Sequence, residues 1–264
     1  MPEIIAETIE LLVLNKPAGL IVHSDGRTEE PSVAAWLLQK YPALAEVGET
    51  WVSPQGEHVP LRGIVHRLDR TTSGVMLVAK TDEMYAYLKN EFKQRRVEKT
   101  YRAYVYGHMG SAQADSNPSR QGRIVAEIMR SSEPPRRWYA RPCEESDKRA
   151  AITEWRLIKN LTTQDIYSSV LPVPGWGQKT AIETATAYIE VCPKTGRTHQ
   201  IRVHFASIGH PLVADHLYAS SDMPSLGFTR PALHAHSISL SLPDDTTTNF
   251  TAPLPADFLA ISDA

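Results

Sequence analysis

The chain has 264 residues, of which 42% are hydrophobic and 22% charged, and its formal net charge is −2. This composition is typical of an ordinary globular protein with a sizeable core. It excludes a protein that coats nucleic acid indiscriminately, although it is compatible with a local basic cleft. No stretch approaches the ~18 apolar residues of a membrane span. The acidic N-terminus is unlike a secretory signal, so we expect a cytoplasmic protein.

The first third of the chain predicts short strands and one helix. A strand over residues 10–14 is followed by a turn at 15–19. A helix should begin at residues 31–32 and end before Pro42, because proline stops a helix. Residues 43–62 are interrupted by glycine and proline and are predicted to be a connecting loop.

The segment over residues 64–79, IVHRLDRTTSGVMLVA, combines a charged cluster with a buried strand. Asp69 lies between Arg67 and Arg70, and the apolar run Val75–Ala79 follows a turn of small residues. Nearby cations favour the ionised form of a carboxylate, which is the form that a carboxylate nucleophile needs. The same pattern also fits a surface ion pair, which contributes only about 0–1 kcal/mol.

A second helix is predicted to run to about Arg95 with Asp82 as its N-terminal cap, and its apolar residues recur at four-residue spacing on the inner face. The next predicted strand, over residues 99–107, places Tyr101, Ala103 and Val105 on one face. An aromatic ring among cations can stack on an extruded base while the cations hold phosphate. A tyrosine packed in the core is the alternative reading of Tyr101.

Residues 110–150 are polar with weak periodicity, and we expect short strands and mobile loop there. Further strands are predicted over 152–159, 184–191 and 233–242, with a turn at 171–179. Strands and single helices without a regular βαβ rhythm predict an α+β fold with a mixed sheet.

A third helix is predicted over residues 198–208, within the segment GRTHQIRVH. Arg202 lies about 100° around this helix from Ile201, so Ile201 can pack inward while Arg202 lines a cleft. A solvated helix face is the alternative. The cysteines Cys143 and Cys192 and the scattered histidines show no metal-ligand spacing, so we predict no metal.

Three segments resemble the signature motifs of the RluA-type pseudouridine synthases: HRLDRTTSG, KTYRAYVYG and RTHQIRVH, in this order. Further similar segments are LNKPAGLIVH at 14–23, PLVAD at 211–215 and LHA at 233–235. The resemblance covers roughly residues 11–242. It implies the pseudouridine synthase catalytic fold, α+β, with a mixed, mostly antiparallel central sheet flanked by helices and a cleft across the middle.

The resemblance also implies a function, the isomerisation of specific uridines to pseudouridine in structured RNA, either rRNA or a tRNA stem-loop. No cofactor is expected, because the reaction has neither net redox nor group transfer. The chain is predicted to be one catalytic domain over residues 1–264, without the small N-terminal RNA-binding domain of many relatives. Residues 110–150 would then be a loop-rich segment that contacts RNA. We expect a monomer.

By resemblance, Asp69, Tyr101 and Arg202 are the catalytic residues. Asp69 would attack the ribose or assist formation of a glycal, and the sequence leaves both routes open. Tyr101 would stack on the uracil, and Arg202 would pair with Asp69. The predicted substrate-binding residues are Arg67, His66, Lys99, Arg197, His199 and Leu233.

The chain departs from the family pattern in two places. Thr71 stands where an acidic residue is common, and residues 214–219 lack a usual glycine.

A catalytically silent RNA-binding module on the same fold is the main alternative function. A phosphotransferase is disfavoured because Gly74 stands where a metal-binding asparagine is needed. A glycosidase would need a second carboxylate, which the sequence does not offer.

Overall fold

The computed structural model describes residues 1–24, 30–52, 56, 58–110, 120–132, 137–162 and 185–262. The chain forms two compact units. Unit one comprises Met1–Lys99 and Ala235–Pro253, and unit two comprises Thr100–His234 and Leu254–Ala264. Across the described ranges, no helix has both the length and the apolar character that crossing a membrane requires.

The strands, in chain order, are β1 (Glu3–Glu7), β2 (Leu11–Lys16), β3 (Thr50–Val52), β4 (His58–Pro60), β5 (Ser73–Ala79), β6 (Glu98–Tyr106), β7 (Gln121–Arg130), β8 (Trp138–Pro142), β9 (Ala150–Leu161), β10 (Thr186–Pro193), β11 (Leu233–Ser241) and β12 (Thr247–Thr251). The α-helices are α1 (Val33–Lys40), α2 (Asp82–Lys93), α3 (Gln200–Ser207) and α4 (Ala256–Ser262), and Pro42–Glu46 is a 3₁₀ helix.

Unit one is built on a sheet in which β1, β2, β5 and β11 are neighbours in that order, with β12 beside β11. Strand β5 is its centre, and all seven of its residues are buried. Strand β2 pairs antiparallel with β5, from Leu11 opposite Ala79 to Lys16 opposite Gly74. Helix α2 covers this sheet with its apolar face, as its four-residue spacing predicts.

The glycine that ends the HRLDRTTSG motif allows β5 and β11 to approach closely. Gly74 has φ +120°, and a Cβ built on it would lie 2.1 Å from the carbonyl oxygen of Ala235. Only glycine tolerates such an approach in this backbone conformation. The glycine therefore fixes where the charged segment of residues 67–72 enters the sheet.

Unit two contains the strand order β6, β10, β9, β7, β8, and its pairings are antiparallel. Strand β6 separates two apolar clusters. Ala103 and Val105 pack on one face with residues of α3, and Tyr104 and Tyr106 pack on the other. This confirms the alternation predicted for the strand, which follows from the two-residue period of a β-strand.

The α+β prediction is confirmed, but several local predictions differ from the structure. Residues 110–150, where short strands and mobile loop were expected, contain the short strand β8 of five residues and the longer strand β7 of ten residues. Strand β7 is regular because it pairs on both sides, with β8 and β9. Its polar residues obscure the alternation that would have revealed the strand in the sequence. Residues 43–62 contain the 3₁₀ helix and the β3–β4 hairpin. The predicted turn at 171–179 lies outside the described residues.

The helix ends also differ from the predicted ones for identifiable reasons. Helix α2 is capped by Thr81, whose hydroxyl accepts the backbone N–H of Met84, and Asp82 is its first residue. Helix α3 begins at Gln200, two residues later than predicted, because His199 adopts a left-handed conformation with φ 54°. The strands β1 and β12 and the helix α4 were not predicted.

Candidate active site

Asp69 lies in unit one on a tight turn that leads into β5. The backbone N–H of Thr72 donates to the carbonyl of Asp69 at 3.1 Å, which closes the turn over residues 69–72. We call these four residues the Asp69 turn. Leu68 before it and Thr72 within it are buried, whereas Asp69 is half-buried. The segment is therefore anchored on both sides of a carboxylate that reaches the surface.

A buried lysine supports the Asp69 turn from below. Lys16, at the end of β2, is fully buried, and its Nζ donates to the carbonyls of Pro17 at 2.9 Å, Leu20 at 2.8 Å and Arg70 at 3.2 Å. The carbonyl of Arg70 also accepts the backbone N–H of Gly19 at 2.8 Å. An ammonium has three donors, so Lys16 ties the first sequence motif to the turn.

His66, predicted to bind substrate, makes contacts inside unit one. Its Nε2 accepts the backbone N–H of Leu77 at 2.9 Å, and its ring stacks on Phe92 with the centroids 4.7 Å apart. Burial, together with the positive charge of Lys99, lowers the pKa of His66 to about 3. The imidazole is therefore neutral at physiological pH, as an acceptor for Leu77 must be.

The two arginines that flank Asp69 in the sequence have different surroundings. Arg70 pairs with Glu30 at 2.6 Å, so its guanidinium is directed to a partner that the sequence did not suggest. Arg67 is exposed. Burial and the charges of Arg67 and Arg62 lower the pKa of His23 to about 4. Arg67 is thus a solvent-facing cation beside a neutral histidine.

In unit two, the residues predicted around the uracil belong to one apolar cluster. Half-buried Tyr101 packs against a core that includes Leu233 and Ile201. These three residues come from three separate motifs. Leu233 is only 4% exposed. Its carbonyl accepts a bond of 2.9 Å from Arg230, which is itself held by a two-bonded ion pair with Asp257. The sequence did not suggest this support for Leu233.

Arg202 is buried in unit two and has a partner that sequence reasoning missed. Its Nε and Nη2 each donate to the carboxylate of Asp215 at 2.7 Å. The side chain of Arg202 is 6% exposed and that of Asp215 is 0% exposed. This is the two-bonded geometry in which a guanidinium and a carboxylate fix each other's orientation.

Tyr218 packs on the same guanidinium and connects it to His199. The Cζ of Arg202 lies 5.1 Å from the centre of the Tyr218 ring. The Tyr218 hydroxyl lies 2.9 Å from Nδ1 of His199 and accepts the backbone N–H of Trp138 at 3.2 Å. We call His199, Arg202, Asp215 and Tyr218 the Arg202 network. His199, predicted to bind substrate, thus has one ring nitrogen engaged within the protein.

The loop before α3 is shaped by a glutamine that the sequence analysis did not select. The buried Gln200 accepts the Thr195 hydroxyl at 2.7 Å and the backbone N–H of Arg197 at 3.0 Å through Oε1. Its Nε2 donates to Ile152 O and the Thr153 hydroxyl, both at 3.0 Å. Arg197 itself is exposed. The signal that could have identified Gln200 is a polar residue on the buried face of an amphipathic helix.

The predicted site residues therefore divide between the two units. Asp69, Arg67, His66 and Lys99 belong to unit one, and the remaining five belong to unit two: Tyr101, Arg197, His199, Arg202 and Leu233. Within the described ranges, no group of three or more histidine, cysteine, aspartate or glutamate residues is arranged to hold a metal ion. The two cysteines are not joined in a disulfide.

Comparisons with known proteins match nearly the whole chain. A family model described as RNA pseudouridylate synthase matches residues 10–207. An uncharacterised RNA pseudouridine synthase of Synechocystis is 33% identical, over 97% of this chain and 66% of that protein. A protein of Zymomonas mobilis, named ribosomal large subunit pseudouridine synthase D, is 35% identical over 97% of this chain and 70% of its own length.

The fold is also found among solved structures. The human RNA pseudouridylate synthase domain containing 1 has a TM-score of 0.65 and 21% identity, covering 97% of this chain and 84% of that one. At this identity the likeness supports the fold. The chain spans about two thirds of the length of the two bacterial relatives.

Proposed function

The chain belongs to the RluA-type family of RNA pseudouridine synthases, and we propose that it converts specific uridines in structured ribosomal RNA to pseudouridine. The observation that carries this proposal is the family match over residues 10–207, which includes all three signature motifs. A relative that is 35% identical is named for the large ribosomal subunit, which favours rRNA over tRNA as the substrate.

We assign the chemical step to Asp69. Cleavage of the bond between uracil and ribose needs a carboxylate that attacks the sugar or assists loss of a proton from it, and either route requires the ionised form. The Asp69 turn offers a half-buried carboxylate on a backbone that is held by Lys16 and by the strand that follows. Such support limits the motion of the reacting group.

Tyr101 and Leu233 suit a base-binding role. A uridine within folded RNA must be extruded before it reacts, which costs a few kcal/mol. An aromatic ring that is partly exposed and packed from behind on a firm apolar core can offset that cost by stacking on the base. Tyr101 meets this description, because it is half-buried and lies against the cluster that contains Leu233.

Arg202 is the proposed partner of Asp69, and this pairing stays a prediction. A guanidinium carries five N–H donors, so its two bonds to Asp215 are compatible with service to a second carboxylate. Among the remaining predicted residues, exposed Arg67 and Arg197 suit phosphate contacts. We assign His66 and His199 to support of the site, because both rings bond within the protein.

The test is substitution of the catalytic carboxylate by its neutral isostere, Asp69→Asn. Wild type and variant are incubated with rRNA, pseudouridine is mapped, and RNA binding is measured separately. We expect product with the wild type, none with the variant, and similar affinity for both. If the catalytically silent binding module were correct, neither protein would form product while both bound RNA.

The choice of RNA needs a separate measurement. Pseudouridines are mapped across total RNA from cells with and without the gene. We expect the missing modification in large-subunit rRNA. If the modification that is lost without the gene lies in tRNA alone, the proposed substrate is wrong and the proposed reaction still stands. The cytoplasmic location and the monomeric state stay predictions.

A further inference from the structure

One surface turn supplies both side chains that hold Arg202. Asp215 contacts the edge of the guanidinium, and Tyr218 lies on its face. Their backbones are joined, because the N–H groups of Tyr218 and Ala219 both donate to the carbonyl of Asp215, at 3.1 and 2.8 Å. Ala214, just before them, has the left-handed φ of 57° that turns the chain here. This is the turn, residues 214–219, that departs from the family pattern.

The arrangement fixes more than the charge of Arg202. A guanidinium buried this deeply needs a partner anion, since removing water from an unpaired charge is strongly unfavourable. Any nearby carboxylate would meet that need, whereas two parallel bonds of 2.7 Å also define the plane and angle of the guanidinium. Asp215 is in turn oriented by the backbone N–H of Leu217, which donates to its Oδ1 at 3.1 Å.

The Tyr218 ring is also held in place by contacts within unit two. A cation over an aromatic face within about 6 Å is attracted by the ring. The hydroxyl is bonded on two sides, to His199 before α3 and to the backbone of Trp138 in β8. The guanidinium therefore meets an anchored edge partner and an anchored face partner, and rotation of its plane would break contacts with both.

We propose that Asp215 and Tyr218 are positioning residues, which set the orientation of Arg202 that the isomerisation requires. The inference rests on the proposed function and deepens it, because it assigns a task to two residues outside the predicted site. We assign neither residue a contact with the uridine. Their effect on turnover passes through Arg202, since a misplacement of about 1 Å in a site can lower a rate about 100-fold.

The first experiment replaces Asp215 by asparagine, which keeps the shape but removes the charge. We expect kcat for pseudouridine formation to fall about 100-fold, the effect typical of a misplaced group. The Kd for the same RNA should change by less than about threefold, because Asp215 is fully buried. An Asp215→Asn protein that folds and keeps the wild-type kcat would overturn the proposal.

Because loss of a buried ion pair can prevent folding, Tyr218 provides a second test that leaves the pair in place. Tyr218→Phe keeps the ring over the guanidinium and loses the bonds to His199 and Trp138, whereas Tyr218→Leu loses the ring as well. We expect kcat to fall in the order wild type, Phe, Leu, with the Leu variant at least about tenfold below wild type. Tyr87→Phe, which loses one hydroxyl bond to Ser241 on the outside of unit one, is the matched control and should keep the wild-type kcat.

A double substitution separates positioning from a merely structural role. If Asp215 acts through Arg202, then adding Asp215→Asn to Arg202→Met should cause no further fall in kcat, since residues that act as a unit are non-additive. Additive losses would show that Asp215 acts by another route and would overturn the inference.

The wild-type protein separates a failure of the proposed function from a failure of the positioning role. A folded wild type that binds RNA and forms no pseudouridine contradicts the proposed function. A wild type that forms product, beside folded Asp215→Asn and Tyr218→Leu variants with unchanged kcat, contradicts only the positioning role.

Discussion

Lys16 in unit one and Arg202 in unit two are both buried cations, yet they are held by different kinds of partner. Lys16 donates to three neutral backbone carbonyls, and Arg202 donates twice to one carboxylate. A lysine is a compact charge with three rotatable donors, whereas an arginine is a rigid fork. The lysine therefore gathers backbone segments, and the arginine fixes an orientation.

The difference also shows what each region must hold still. Below the Asp69 turn, the main chain needs a defined path, and Lys16 joins segments as far apart as residues 16 and 70. Around Arg202, the functional group is itself the cation, so the partner anion must orient a side chain. The bonds of Lys16 define the path of a loop, and the ion pair with Asp215 orients the guanidinium of Arg202.

The largest expected effect comes from breaking the lysine side of this comparison. Lys16→Met keeps most of the volume but removes the donors to three carbonyls. The Arg70 carbonyl keeps its bond from the Gly19 N–H, but those of Pro17 and Leu20 lose this donor. Each unsatisfied buried acceptor costs about 1–3 kcal/mol, so we expect the free energy of unfolding to fall by roughly 2 kcal/mol or more. Turnover should fall further than RNA affinity, because the Asp69 turn loses its support. Urea unfolding and single-turnover assays measure the two effects.

Lys80 is the matched control for that change. It lies in the same unit, donates to Glu7 at 2.7 Å and to the Thr8 carbonyl at 2.8 Å, and is partly exposed. Lys80→Met should cost only about 0–1 kcal/mol, as exposed pairs usually do. Equal losses for both variants would mean that burial of Lys16 adds nothing.

A smaller effect concerns pH and the histidine of unit one. The pKa of His66 is lowered from 6.5 to about 3, so between these values the ring is neutral when folded and protonated when unfolded. Unfolding then takes up a proton, and stability is lost as pH falls below about 6.5, with a slope near 1.4 kcal/mol per pH unit. His66→Gln, which can still accept the Leu77 N–H, should make the dependence shallower in urea titrations between pH 6.5 and 4.

The wild type supplies the comparison for this measurement, since the two proteins share every other titratable group. An unchanged slope in the His66→Gln protein would show that this ring is protonated equally in the folded and unfolded chain.

The smallest effect is expected at the turn that carries Asp215. Ala214 has φ 57°, a conformation that costs an alanine about 1–2 kcal/mol and a glycine very little. Glycine also gains freedom in the unfolded chain, so Ala214→Gly should raise the free energy of unfolding by no more than about 1 kcal/mol. Thermal unfolding measures it. A clear loss of stability would show that the methyl group packs better than its backbone strain costs.

Much of the fold was predictable because its signals are local. The apolar run of residues 75–79 predicts a buried strand, and the spacing of Met84, Leu88 and Phe92 predicts a helix, since both patterns depend on residues a few positions apart. Short strands were expected within residues 110–150, but the ten-residue length of β7 was not, because its polar residues obscure the alternation. Strands β1 and β12 were not predicted, because such short strands depend on their neighbours.

The amino-acid sequence by itself determined the family, the order of the motifs and the identity of the candidate residues, because these lie in short contiguous segments. Only the tertiary structure decided the partners. The ammonium of Lys16 donates to the backbone carbonyl of Arg70, the Arg70 guanidinium pairs with Glu30, and Arg202 pairs with Asp215. The physical reason is that distance and geometry in the folded chain decide which groups a charged side chain contacts. Lys16 and Arg70 are 54 positions apart and Arg202 and Asp215 are 13 apart, so no local sequence pattern predicts these contacts.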